Sequence, residues 1–138
     1  AARFIATMNY GYAGTRDLNE ALTSRFMVIH MPEISRDNLE KLLKREFPSM
    51  KRQYVEQFSA LFQDIEQKCR SGELTNRVLD LRGLLDALSL MSNGLSPLQA
   101  LDMGITNKTF DEYEQTLIRD VIASRISPKL QAHSLFEE

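Results

Sequence analysis

Cysteine is almost missing from this chain: Cys69 stands alone among 138 residues. An internal disulfide is therefore excluded, and the composition fits a reducing cytoplasm. A basic excess is missing too. The net charge of -2 argues against a general role on nucleic acid or at a membrane surface, since both need surplus lysine and arginine. No apolar run approaches the ~20 residues of a membrane-spanning helix, and Ala1-Ala2-Arg3-Phe4 lacks the layout of a secretory leader. No spacing of His, Cys, Asp and Glu suggests a metal site. Internal repeats and low-complexity segments are also absent. What remains is globular in character, with 43% apolar and 26% charged residues, in a chain long enough for one domain and its core.

Residues 1–32 have α/β character. Phe4-Ile5-Ala6-Thr7-Met8 and Met27-Val28-Ile29-His30-Met31 are short apolar runs without alternation, the pattern of strands covered on both faces. Asn9 follows the first run at once. A carboxamide there would point into the crevice where open α/β sheets bind ligands. Next comes the loop Tyr10-Gly11-Tyr12-Ala13-Gly14-Thr15-Arg16. A short helix then opens at Asp17-Leu18-Asn19-Glu20, a capping-box-like start, and ends in Ser24-Arg25-Phe26. An arginine at such a place can face an anion on the same protein or a neighbour.

After Pro32 everything reads as helix. Ser35 caps a helix with Leu39, Leu42, Leu43 and Phe47 inward, and Pro48 stops it. A longer helix carries Tyr54, Phe58, Leu61, Phe62, Ile65 and Cys69 on one stripe, so Cys69 reads as a core thiol; Gly72 ends it. A third begins near Asp80, with Leu81, Leu84, Leu85, Leu88 and Met91 inward and Gly94 as its stop. Ser96-Pro97-Leu98-Gln99 opens a short fourth, ending at Gly104. Thr109-Phe110-Asp111-Glu112 opens a fifth, with Tyr113, Leu117, Val121, Ile122 and Ile126 inward. The last ten residues carry little pattern and are expected to fray. The fold class is thus mainly α: a small α/β stub over 1–32, two short strands and a helix, then an all-helical subdomain over 33–138.

Three segments carry a resemblance. Ile5-Ala6-Thr7-Met8-Asn9-Tyr10-Gly11-Tyr12 resembles the fourth strand and sensor-1 turn of the MoxR-like AAA+ ATPases, where Ala-Thr-x-Asn-Pro-Gly-Tyr is usual; Tyr10 replaces the proline. Glu20-Ala21-Leu22-Thr23-Ser24-Arg25-Phe26 resembles their arginine-finger segment. Leu79-Asp80-Leu81-Arg82-Gly83-Leu84-Leu85, followed by Gly94-Leu95-Ser96-Pro97, resembles the sensor-2 helix of their lid. Singly these motifs are weakly specific; their order and spacing are more so. The loop G-x-x-x-x-G-K-[ST] does not occur, since none of the six glycines precedes a lysine. Nor does an apolar strand end in Asp-Glu. The resemblance therefore implies the C-terminal part of a AAA+ module, with the phosphate cradle and the Mg²⁺ ligands upstream.

The same resemblance implies roles. Asn9 would hold the attacking water or a γ-phosphate oxygen, which suits an amide that donates and accepts while staying neutral. Arg25 would act on a neighbouring subunit's nucleotide, and Arg82 would bind the nucleotide of its own subunit. Arg77 rivals Arg82 for that place. The parent would use ATP and Mg²⁺, assemble as a ring, expected to be a hexamer, and remodel a client, often one with a von Willebrand factor A domain. These residues alone would not hydrolyse ATP. In the family's sheet the two strands are not neighbours, so here they are expected to pair with each other or with another copy.

Rival readings stand beside this one. Asn9 could simply turn the chain, Arg25 could pair with Asp17 or Glu20, and Arg82 with Asp80 or Asp86. The chain would then be a helical protein-interaction module without a nucleotide role. A helix-turn-helix over 80–104 fits poorly with the net charge. Tyr10 and Tyr12 read as packing residues and His30 as a hydrogen-bonded structural imidazole. Lys41, Lys44, Arg45, Lys51 and Arg52 read as a solvated helix face.

Overall fold

The computed structural model describes residues 1–9 and 16–137. The chain divides into two compact units, Ala1–Glu33 and Ile34–Glu138.

Among the described residues the first unit holds one element, α1 (Glu20–Thr23). Its cap is Asn19 rather than Asp17: the Asn19 side chain accepts the Ala21 N–H at 2.8 Å. The helix is only one turn long and buries no side chain. Ser24 forms its C-cap, so Arg25 lies one residue beyond. Among the described residues the runs 4–8 and 27–31 form no strand, and they do not pair with each other. A strand is a non-local object that needs a ladder partner and a covered face. Here both runs are exposed, Ile5 and Met27 almost completely.

The second unit is all-helical, with α2 (Arg36–Glu46), α3 (Arg52–Arg70), α4 (Leu81–Ser92), α5 (Pro97–Gly104) and α6 (Glu112–Arg125). Three 3-10 turns join or follow them, at Asn76–Val78, Thr106–Lys108 and Ala132–Leu135. The apolar stripes meet in one core: α2 lies on α3, α3 on α6, and α4 folds back onto α5. Leu39, Leu43, Phe58, Leu61, Leu84, Leu88, Leu101 and Ile118 are fully buried there. Burying a side chain of this kind contributes about 1.5–3 kcal/mol, so packing rather than helix propensity holds the unit together.

Local signals act as sequence pattern requires at several ends. Ser35 accepts the Asn38 N–H at 3.3 Å. Gly72 (φ 79°) and Gly94 (φ 98°) supply the left-handed turns after α3 and α4. Others differ. Ser96 does not cap α5; its hydroxyl donates to Gln99 Oε1 at 3.0 Å. The α6 cap is Asp111, which accepts the Glu114 N–H at 2.9 Å, while the Thr109 hydroxyl donates to Glu114 Oε2. That arrangement turns Glu114 inward and leaves Tyr113 exposed, so the inward stripe is Glu114, Ile118, Val121 and Ile122. The tail does not fray. Leu135 is fully buried, Lys51 N–H donates to Leu135 O at 2.8 Å, Glu137 N–H donates to Ser49 O at 2.7 Å, and Met50 and Phe136 form an antiparallel bridge.

Among the described residues two buried hydroxyls, Ser59 Oγ and Thr106 Oγ1, have no hydrogen-bond partner. An unpaired buried polar group costs its desolvation without return. Ser59→Ala should therefore stabilise the unit, by about 0.5–1 kcal/mol once alanine's better helix propensity is added. Thermal melting checks this; a variant melting clearly lower than the parent contradicts it.

Just beyond α3, Lys68 Nζ lies 3.0 Å from Glu73 Oε2, and the Ser71 hydroxyl donates to the same oxygen at 2.9 Å. The Lys68 hydrogen bond, then that of Ser71, holds the Glu73 carboxyl below its ordinary value of 4.5. A carboxyl depressed in the folded state stabilises fully above its unfolded pKa, and that contribution fades as pH falls through the folded value. Glu73→Gln should thus lower melting slightly at pH 7, where the exposed pair contributes little but fully, and the two proteins should converge as pH falls below about 4.5. Parallel acid melts of both proteins measure it.

Candidate anion-binding site

The segment from Thr75 to Gly83 is held from several directions. Thr75 N–H donates to Glu114 Oε1 at 2.6 Å, and the Thr75 hydroxyl reaches Glu114 Oε2 at 3.4 Å. The half-buried Cys69 donates its thiol to Thr75 O at 3.5 Å, and Val78 N–H donates to the same carbonyl at 3.3 Å. Val78 is buried, and Leu79 and Leu81 pack on the core. Asp80 Oδ2 lies 3.5 Å from Lys108 Nζ. At the far end Gly83 on α4 and Gly104 on α5 meet backbone to backbone.

Two guanidinium groups stand on this braced segment, Arg77 in the 3-10 turn and Arg82 in the first turn of α4. Both are exposed, and neither forms an ion pair among the described residues. The other arginines of this unit all do: Arg36 with Glu40, Arg45 with Glu46, Arg52 with Glu56, Arg70 with Glu66, Arg119 with Asp102, and Arg125 with Asp64. Arg125 and Asp64 are bidentate at 2.7 and 3.2 Å, and this hydrogen bonding raises the Arg125 pKa above its ordinary value. Arg82 has Asp80 and Asp86 close in sequence. Asp80 is taken by Lys108, and an arginine placed four residues before an acid on a helix is the weaker orientation.

The other expected site residues fall in the first unit. Asn9 and Arg25 are exposed, and their side chains make no hydrogen bond or ion pair among the described residues. Arg25 does not pair with Asp17 or Glu20. Tyr10 and Tyr12 lie outside the described residues. His30 is exposed rather than held in a buried hydrogen bond. Of the basic cluster, Arg45 and Arg52 serve local ion pairs, and Lys41 and Lys44 are exposed. Among the described residues no group of His, Cys, Asp and Glu could hold a metal ion, and no helix is long and apolar enough to cross a membrane. Glu114 was not legible as part of this site. In sequence it is one more acid in the first turn of a helix, and only the fold brings Thr75 to it.

Arg77 and Arg82 are thus exposed guanidinium groups with no carboxylate partner among the described residues, the kind of fork that can meet an anion. No family model and no solved structure matches the chain. It is similar to the uncharacterized protein YojN of Bacillus subtilis (strain 168), at 30% identity over 117 residues, which is 85% of this chain and 38% of that protein. It is also similar to an uncharacterized protein of Staphylococcus aureus (strain NCTC 8325 / PS 47), at 32% identity over 119 residues, 86% of this chain and 44% of that protein. The chain thus spans about two fifths of the length of these curated relatives.

Proposed function

We propose that this chain is the C-terminal part of a MoxR-like AAA+ ATPase: the end of the nucleotide-binding core, residues 1–32, joined to the helical lid, residues 33–138. The whole protein would assemble as a ring, a hexamer in this reading. It would use ATP with Mg²⁺ to remodel a partner, with a von Willebrand factor A domain protein as the candidate client. The observation that carries the reading is Arg82, which stands exposed and without an ion pair to its neighbouring acids among the described residues, next to the close contact of Gly83 with Gly104. Phosphoryl transfer needs such charge more than covalent chemistry, because charge spreads over the γ-phosphoryl oxygens. In this reading Arg82 binds the phosphates of its own subunit's nucleotide, which gives the lid a differential contact between nucleotide states. Asn9 orients water or a γ-oxygen, and Arg25 acts in trans.

The test uses the full-length protein. Arg25→Ala should lower ATPase activity by about 10³–10⁵-fold, the range for arginine fingers, and so should loss of the phosphate-loop lysine. Mixing the two variants should restore activity, because some interfaces then combine an intact finger with an intact cradle. No recovery at any mixing ratio, with assembly intact, counts against Arg25. Exposed Met103, Phe110 and Tyr113 on the helical unit favour the second reading, a protein-interaction module without nucleotide. In that case Arg82→Ala leaves ATP binding by the full-length protein unchanged.

A further inference from the structure

We propose that residues 129–137 behave as a bound peptide, and that the cleft they fill takes the same segment from a second copy of this chain. The proposal is independent of the nucleotide reading above. It begins from the tail, which carries little sequence pattern and is nevertheless fixed in place. The segment is anchored in the manner of an added strand. Lys51 N–H donates to Leu135 O at 2.8 Å, Glu137 N–H donates to Ser49 O at 2.7 Å, and Met50 bridges Phe136 in antiparallel register. Leu135 is the fully buried anchor; Ala132 is buried as well, and Leu130 and Phe136 pack half-buried on the core. The Ala132–Leu135 turn lies against α4, so the cleft runs between the 49–51 segment and α4.

This contact does not depend on the segment belonging to its own chain. Among the described residues no ion pair and no side-chain hydrogen bond ties 130–137 to the helices; main-chain bonds and apolar burial carry the contact. An identical segment arriving from elsewhere reproduces both in full. The link to α6 is short and separate from the contact. Ile126 leaves the helix in extended conformation (φ −117°, ψ 120°), and Ser127, Pro128, Lys129 and Gln131 are exposed. Pro128 keeps Ser127 out of the helical region, so α6 does not continue into the tail. Short links of this kind are the hinges at which identical elements exchange between copies. Concentration sets the equilibrium. The contacts are equal in the closed and exchanged forms, and a tethered segment faces its own cleft at an effective concentration of about 1 mM. Exchange therefore takes over where copies are held together at comparable density, and each exchanged tail then joins two helical units.

The experiment mixes two variants of the 138-residue chain. Leu135→Ala has a weak tail and an intact cleft. Lys51→Pro has an intact tail and a weakened cleft: Lys51 sits at φ −63°, which proline adopts, so the change removes only the N–H that Leu135 O accepts. Each variant alone should sediment as a monomer, and the equimolar mixture at the same total concentration should form a one-to-one dimer. A synthetic peptide of residues 129–138 gives a second readout. It should bind the Leu135→Ala chain about tenfold or more tightly than the parent, whose cleft is filled, and raise the melting temperature of that variant. The same peptide with alanine in place of Leu135 should bind neither. Where Leu135→Ala melts too low to use, Glu137→Pro takes its place; Glu137 is exposed, and proline removes the N–H that Ser49 O accepts. A mixture that stays monomeric with both variants folded overturns the exchange, whether or not the peptide binds. Dimers in equal amount in each variant alone arise from another surface and overturn it too. Equal peptide binding to parent and variant overturns the cleft as the place of docking.

Discussion

Gly83→Ala and Gly104→Ala should each destabilise the helical unit by about 2–3 kcal/mol, lowering its melting temperature by roughly 10 °C or more. Each glycine sits where the other's backbone arrives. A Cβ on Gly83 would overlap the Gly104 carbonyl oxygen, and a Cβ on Gly104 would overlap the Gly83 carbonyl oxygen and press on Ala87 Cβ at 3.0 Å. A backbone oxygen cannot rotate away as the tip of a side chain can. The helices α4 and α5 would have to separate, opening the packing of Leu84, Ala87, Ala100 and Leu101. Alanine's helix propensity returns only about 1 kcal/mol, so the clash decides the sign.

The double variant should cost much less than twice either single one, because helices already forced apart accommodate a second methyl group. Gly72→Ala is the control. Nothing lies within 4 Å of its Cβ position, and only the left-handed φ of 79° opposes the change, a cost of about 1–2 kcal/mol. Thermal or urea melts of the four variants measure all of this. Additive losses, or alanine tolerated at both contact positions, would show that α4 and α5 are not in this close register.

The helices were readable because their signals are local: a capping serine at 35, stripes at helical spacing, stop glycines at 72 and 94. The Gly83–Gly104 contact was not. A glycine inside a helical pattern reads as weak propensity, and nothing local says that a second glycine on the next helix will meet it. The same holds for the tail, whose Leu135 is anchored by Ser49 to Lys51 at the other end of the unit. The two expected strands failed for the opposite reason. Their apolar runs are genuine, but strand formation needs a partner ladder, and these two runs do not supply one to each other. Arg82 is singled out in sequence by the residues flanking it. Its freedom from Asp80 was not legible, since that depends on Lys108 folding back from a distant turn.

Glu114→Ala should cost about 3–4 kcal/mol, the largest effect expected from a charged residue in this unit. Its carboxylate is buried and accepts from Thr75 N–H at 2.6 Å, the Thr109 hydroxyl at 2.5 Å and the Thr75 hydroxyl at 3.4 Å. No lysine or arginine pairs with it among the described residues, so donors alone compensate its burial. Removing it strands a backbone N–H and a buried hydroxyl, each at about 1–3 kcal/mol, and leaves a cavity besides. Glu114→Gln keeps the volume and one acceptor oxygen, so its cost should be about half as great. Hydrogen exchange gives the local readout: the Thr75 amide should lose protection in both variants before the α3 amides do. If Thr75 exchanges as slowly in Glu114→Ala as in the parent, the carboxylate is not what anchors the Arg77 turn. The turn would then depend on Val78 and Leu79 packing alone, and Val78→Ala, not Glu114→Ala, would be the change that frees Arg77.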